Sequence, residues 1–152
     1  MRIVIYQGVD AISIRGGVSD PDRIEIEVRD LDPSGSDSLY ITIGDSGGEE
    51  TTGYDTRSIG IASGGSSQIN DANAFEVRLG AGASLHGHIV MKRLTGNLWG
   101  FSFIGQDGAN NVFAYGFKEL SGTIDRVVFG WSGSDTFTGA NGAAYLSAGD
   151  YA

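Results

Sequence analysis

Apolar and polar residues alternate along most of this chain. RIEIEVRDL (23–31) puts Ile24, Ile26 and Val28 on one face and Glu25, Glu27 and Arg29 on the other. SLYITIG (38–44) does the same with Leu39, Ile41 and Ile43, and AFEVRLG (74–80) with Phe75, Val77 and Leu79. A period of two marks half-buried strands, whereas an amphipathic helix repeats every 3.6 residues. RIVIY (2–6), AISIR (11–15), RSIGIAS (57–63), SLHGHIVMKRL (84–94), NLWGFSFIG (97–105), NNVFAYGFK (110–118), TIDRVVFGW (123–131), SDTFTG (134–139) and AAYLS (143–147) read similarly. Turn clusters separate them: DPSGSDS (32–38), SGGSS (63–67), GAGAS (80–84), LTGN (94–97), GQDGAN (105–110) and WSGSD (131–135). Glycine supplies 25 of 152 residues without a collagen-like period, a density that disfavours helix and suits turns. The expectation is all-β: residues 1–152 form one antiparallel β-sandwich, jelly-roll-like, of about ten to twelve strands, with no linker or internal repeat.

A chain of this length buries roughly 70% of its unfolded surface and needs no covalent staples. It has no cysteine, so disulfides and thiolate metal sites are excluded. A formal charge of −9 argues against nucleic acid, which demands clustered Lys and Arg. The apolar runs are too short for a membrane-spanning helix, and MRIVIYQG has no apolar segment of secretory-signal length.

GDSGG (44–48) matches the letters around the nucleophile of chymotrypsin-like proteases, which makes Ser46 a candidate for inspection. Nucleophilic catalysis needs a base within reach and a group to orient it, and in that order the histidine precedes the serine. Both histidines, His86 and His88, follow Ser46, so no catalytic residue is assigned. Asp45, Ser46, Thr51 and Thr52 can bond nearby backbone, and Tyr54 can lay its ring on the sandwich with its hydroxyl in water. Asp45, Glu49, Glu50 and Asp55 are the residues that suit a calcium ion, although EF-hand spacing is absent.

His86 and His88 sit two apart on a strand, opposite the core-like Leu85, Gly87, Ile89 and Met91, and are expected to face solvent or an interface. No spacing completes a zinc site, and no phosphate-binding fingerprint or acid–base carboxylate pair stands out, so no metal or other cofactor is expected. Three aromatic rows read as core: Trp99, Phe101 and Phe103; Phe113, Tyr115 and Phe117; and Val127, Phe129 and Trp131. The aromatics of NVFAYGFK, alternating with Ala and Gly, would also suit packing between subunits. Tyr54, Trp131 and Asp135 are the candidate partner or glycan contacts, since sugar sites pair an exposed ring with carboxylates.

Three blocks carry a family resemblance. LYITIGDSGGEETTGY (39–54), LHGHIVMKRLTGNLWGFSFIGQD (85–107) and LSGTIDRVVFGWSGSDTFTGANGAAYL (120–146) together resemble a module of tailed-bacteriophage virion proteins. Order and spacing agree across roughly residues 24 to 147. In that family the module often ends longer tail-associated proteins. The resemblance implies a virion structural protein, and no residue pattern points to an enzyme. A compact, acidic, cofactor-free β module suits a capsid decoration (cement) subunit on the particle surface best, since that role needs only a footprint complementary to the shell. The alternative, a tail-associated receptor-binding module, is what the family's usual position implies. Implied partners are further copies of itself as a homotrimer, the major capsid protein or a tail protein, and host surface glycan, without nucleic acid or membrane insertion.

Overall fold

A computed structural model describes residues 2–4, 12–15, 20–77, 84–108, 110–138 and 143–149. The alternation becomes thirteen strands among them: β1 (Arg2–Val4), β2 (Ile12–Arg15), β3 (Arg23–Leu31), β4 (Leu39–Asp45), β5 (Gly48–Glu50), β6 (Tyr54–Ala62), β7 (Gly65–Asp71), β8 (Phe75–Val77), β9 (Leu85–Thr95), β10 (Leu98–Asp107), β11 (Asn110–Glu119), β12 (Arg126–Trp131) and β13 (Ala143–Gly149). No helix among the described residues is long and apolar enough to cross a membrane.

Eight strands form a large sheet in the order β1-β13-β3-β9-β10-β11-β6-β7, and five form a small one in which β2, β12, β4 and β5 follow one another and β8 also pairs with β4. Pairing between these strands is antiparallel throughout. The chain crosses repeatedly between the sheets (β2 to β3, β3 to β4, β8 to β9, β12 to β13), as a jelly roll does. Gly96 (φ 52°) and Gly108 (φ 57°) make the tight reversals joining β9, β10 and β11, in a left-handed backbone region that glycine enters at little cost.

The alternation buries one row from each strand. Ile24, Ile26 and Val28, Leu85, Ile89 and Met91, and Trp99, Phe101 and Phe103 face inward from the large sheet. Leu39, Ile41, Ile43, Phe75, Val77, Val127 and Phe129 meet them from the small sheet in one core. Phe75 of β8 stacks on Phe101 of β10 with ring centres 4.6 Å apart, which locks the two layers together. Each such side chain contributes roughly 1.5–3 kcal/mol by leaving water.

Two local expectations need correction. SDTFTG (134–139) contributes only an isolated bridge from Phe137 to Pro33. SGGSS (63–67) is only partly turn, because β7 begins at Gly65 and runs to Asp71 along β6. Its side chains are polar and mostly exposed at the sheet edge, so no buried row marks it.

Candidate interaction surface

The β10–β11 hairpin decides which aromatic row faces inward. Residues directly opposite on paired strands share a face, and here Phe101 opposes Gly116 and Phe103 opposes Ala114. With Phe101 and Phe103 in the core, Val112, Ala114, Gly116 and Lys118 must face in too. Gly116 cannot carry a larger side chain, since a Cβ there would lie 2.6 Å from the Asp55 carbonyl oxygen. The other row therefore points outward: Phe113 is 40% exposed, Tyr115 54% and Phe117 46%. This overturns the core expectation for that row, whereas the Trp99 and Val127 rows are buried as expected.

Neighbouring strands extend the outward row into a patch. Ile104 of β10 lies opposite Phe113, and Ile59 of β6 opposes it on the other side. Ser102, Tyr115 and Arg57 form the next cross-strand row, followed by Gly100, Phe117 and Asp55. Leu94 lies against Gly100, its Cδ1 3.3 Å from where a Cβ would stand. Arg57, Ile59, Gln68, Ser102, Phe113 and Tyr115 help line a groove of about 330 Å³ on this face. Arg57 is paired with Asp55 of its own strand at 3.6 Å.

The sequence-predicted contacts lie elsewhere. Trp131 is only 7% exposed, its ring 4.7 Å from that of Phe137, so it offers no open platform to a sugar. Tyr54 is 4% exposed, and its hydroxyl is not in water: it accepts from Ile43 N at 2.8 Å and donates to Glu50 O at 2.8 Å. Burial raises the pKa of this hydroxyl well above its ordinary value. Asp135 accepts from Ser34 Oγ at 3.0 Å and from Asp37 N at 2.7 Å, so both its oxygens are engaged within the fold. These three residues are not brought together as an open contact site.

The GDSGG segment is a hairpin. Ser46 lies exposed at its tip between β4 and β5, while His86 and His88 project from the outer face of the other sheet, so no imidazole faces the hydroxyl. Asp45 Oδ1 accepts from Gly47 N at 2.8 Å, closing the turn. Asp45 Oδ2 and Glu50 Oε1 lie 2.8 and 2.9 Å from Ser121 Oγ, whose one proton serves one carboxylate at a time. Lys118, inward-facing and buried, donates to Glu50 Oε2 and to Glu119 O and sits over the Tyr54 ring. Burial pushes the Glu50 carboxyl up, but hydrogen bonds from Lys118 and Ser121 outweigh it and hold the group below its ordinary value.

The four calcium candidates are thus dispersed. Asp45 and Glu50 turn to Ser121 and Lys118, Glu49 accepts from Thr42 Oγ1, and Asp55 stands on the large sheet beside Arg57. Among the described residues no group of three or more His, Cys, Asp or Glu is placed to hold a metal ion. His86 and His88 are exposed, as expected, and His86 Nε2 lies 3.6 Å from Asp30 Oδ1.

No family model matches the chain, and no curated protein or solved structure matches it.

Proposed function

We propose that this chain is a non-enzymatic structural protein on the surface of a tailed-phage particle, with the head as its site and decoration (cement) as its role. Its sequence blocks support the phage assignment by resemblance. One structural observation supports a role by contact: several polar residues of those blocks bond within the fold, and between the second and third blocks an apolar sheet face stands open. Asp45, Glu50, Ser121 and Asp135 all bond within the fold, while Phe113, Tyr115 and Phe117 stand open. A subunit that works by covering other proteins needs a rigid frame and an apolar footprint, and no reacting group.

A tail-associated adhesion module is the second reading. It is favoured by the Phe113 and Tyr115 rings standing open near Arg57, Gln68 and Ser102, a mix of aromatic faces and polar groups that suits sugar rings.

An acidic subunit attached by apolar burial should resist salt, because screening acts on exposed charge pairs. Washing purified particles in about 1 M salt, where the Debye length is about 3 Å, should leave the copies per head unchanged. Complete release in that wash would contradict attachment of this kind.

A further inference from the structure

We infer that this chain pairs with a second copy of itself, the outer faces of β9, β10, β11 and β6 meeting across a two-fold axis. Among the described residues, all the exposed large hydrophobic side chains lie on that one face: Ile61, Leu94, Ile104, Phe113, Tyr115 and Phe117. At roughly 150–250 Å² for a large side chain, their exposed fractions leave on the order of 500 Å² of apolar surface. That is the size of the largest patch on a typical monomer, about 300–600 Å², which is often a functional surface. Two such patches face to face remove about 1,000 Å² of apolar area, and a polar rim brings the total into the roughly 1,200–2,000 Å² of a specific interface.

Charge selects the occupant. Each copy carries −9, so two copies can approach only where charge is sparse. The centre of this face carries Ile104, Phe113, Ser102 and Tyr115; among the charges around it Arg57 pairs with Asp55 and Arg29 with Glu27, while Lys92 and Glu119 stand exposed at its rim. A nucleic acid, which demands clustered Lys and Arg, finds no such cluster at that centre. A second identical patch needs none.

Symmetry follows from the same count. A threefold ring joins two different patches of each subunit, whereas a two-fold contact uses one patch twice. The described residues present one such patch. Pairing through this face is therefore two-fold, and the homotrimer expectation is the competing outcome of the test below. The face paired here is the one offered above as the footprint, so a dimer formed through it would meet a particle with other surfaces, and that test uses the purified chain alone.

Sedimentation velocity on the purified chain from about 1 to about 100 µM tests it. The expected result is a species of twice the chain mass that persists or strengthens in about 1 M salt, where like-charge repulsion is screened. Tyr115→Glu together with Phe117→Glu should raise Kd at least about 30-fold, the loss typical of central anchor residues. Ser36→Glu, adding the same charge per site on an exposed loop, should leave Kd unchanged. If the double variant loses its strand signal by circular dichroism, Ile104→Thr keeps β propensity and should weaken pairing in the same direction. A monomer across the whole range, a trimer, or a dimer indifferent to these substitutions would overturn the inference.

Discussion

Asp37 and Asp135 each accept the other's backbone N–H: Asp37 N donates to Asp135 Oδ2 at 2.7 Å, and Asp135 N to Asp37 Oδ2 at 2.9 Å. The two residues sit in loops nearly a hundred positions apart, and the exchange fastens one loop to the other. Around it, Ser34 N donates to Thr136 O, Thr136 N to Ser34 Oγ, Ser38 N to Ser132 Oγ, and Thr138 N to Asp32 O. Gly35 and Gly133 make room, since a Cβ at either would lie 2.5 or 2.6 Å from a carboxylate oxygen of Asp135 or Asp37. Segments that read as loose turns are a clasp at one end of the sandwich.

Asp135→Ala should therefore destabilise the fold by about 0.5–1.5 kcal/mol, because it removes the acceptor of the half-buried Asp37 N–H, while the exposed Ser34 hydroxyl turns to water. For a chain of this size each kcal/mol moves Tm by about 2–4 °C. Asp135→Asn keeps an acceptor and should cost less. Thermal melts of the two variants check the order, and equal losses would show that the carboxylate geometry is not what matters.

Tyr54→Phe should cost about 1–3 kcal/mol by leaving the buried Ile43 N–H without an acceptor. It should also change the alkaline limb of the stability curve. The folded hydroxyl ionises well above its ordinary 10.0, so its contribution is fully present below that value and is lost as pH climbs towards the raised one. Tyr40 behaves likewise, through burial and its bond to the Asp71 carboxylate. The slope should flatten in Tyr54→Phe without vanishing. Urea titrations from neutral pH to about pH 11 read it, and identical slopes would contradict the assignment.

Glu50 predicts the opposite limb. Its folded pKa lies below the ordinary 4.5, so its stabilisation is complete above that value and is lost as pH falls through the lowered one. Lys118→Met removes the donor and should cost about 1.5–3 kcal/mol at neutral pH, the range for hydrogen bonds to charged groups. The gap between variant and wild type should close as Glu50 protonates in acid. Parallel curves at all pH values would show that the lysine acts through packing alone.

Ser46→Ala should change stability by no more than about 0.5 kcal/mol, as expected for an exposed hairpin tip. A fluorophosphonate probe should leave the folded wild-type chain unlabelled. Stoichiometric labelling at Ser46 would revive a hydrolase.

Much of the frame was legible because burial writes itself into alternation. The expected strand RIEIEVRDL (23–31) is β3 residue for residue, and the core rows of β4, β9 and β10 follow their apolar letters. β5 and β7 were not legible, since both are short or polar edge segments held by backbone bonds to one neighbour. The aromatic row of β11 was misread because hydrophobicity alone favours rings over Ala, Gly and Lys as core. Counting back from the turn at Gly108 resolves it: Asp107 opposes Asn110, which sets Phe103 against Ala114 and Phe101 against Gly116. If the rings of β10 are inside, those of β11 are outside. Tyr54, Trp131 and Asp135 read as open contacts because composition shows a ring or a carboxylate and not its burial: Tyr54 bonds to Ile43 and Glu50, Trp131 packs on Phe137, and the partners of Asp135, Ser34 and Asp37, lie about a hundred positions away.

Particle location tests the functional account most directly. Purified phage particles encoding this chain, labelled with a gold-conjugated antibody raised against it, should carry gold over the whole head in many copies. Gold confined to the tail, or particles without label, would contradict a decoration role.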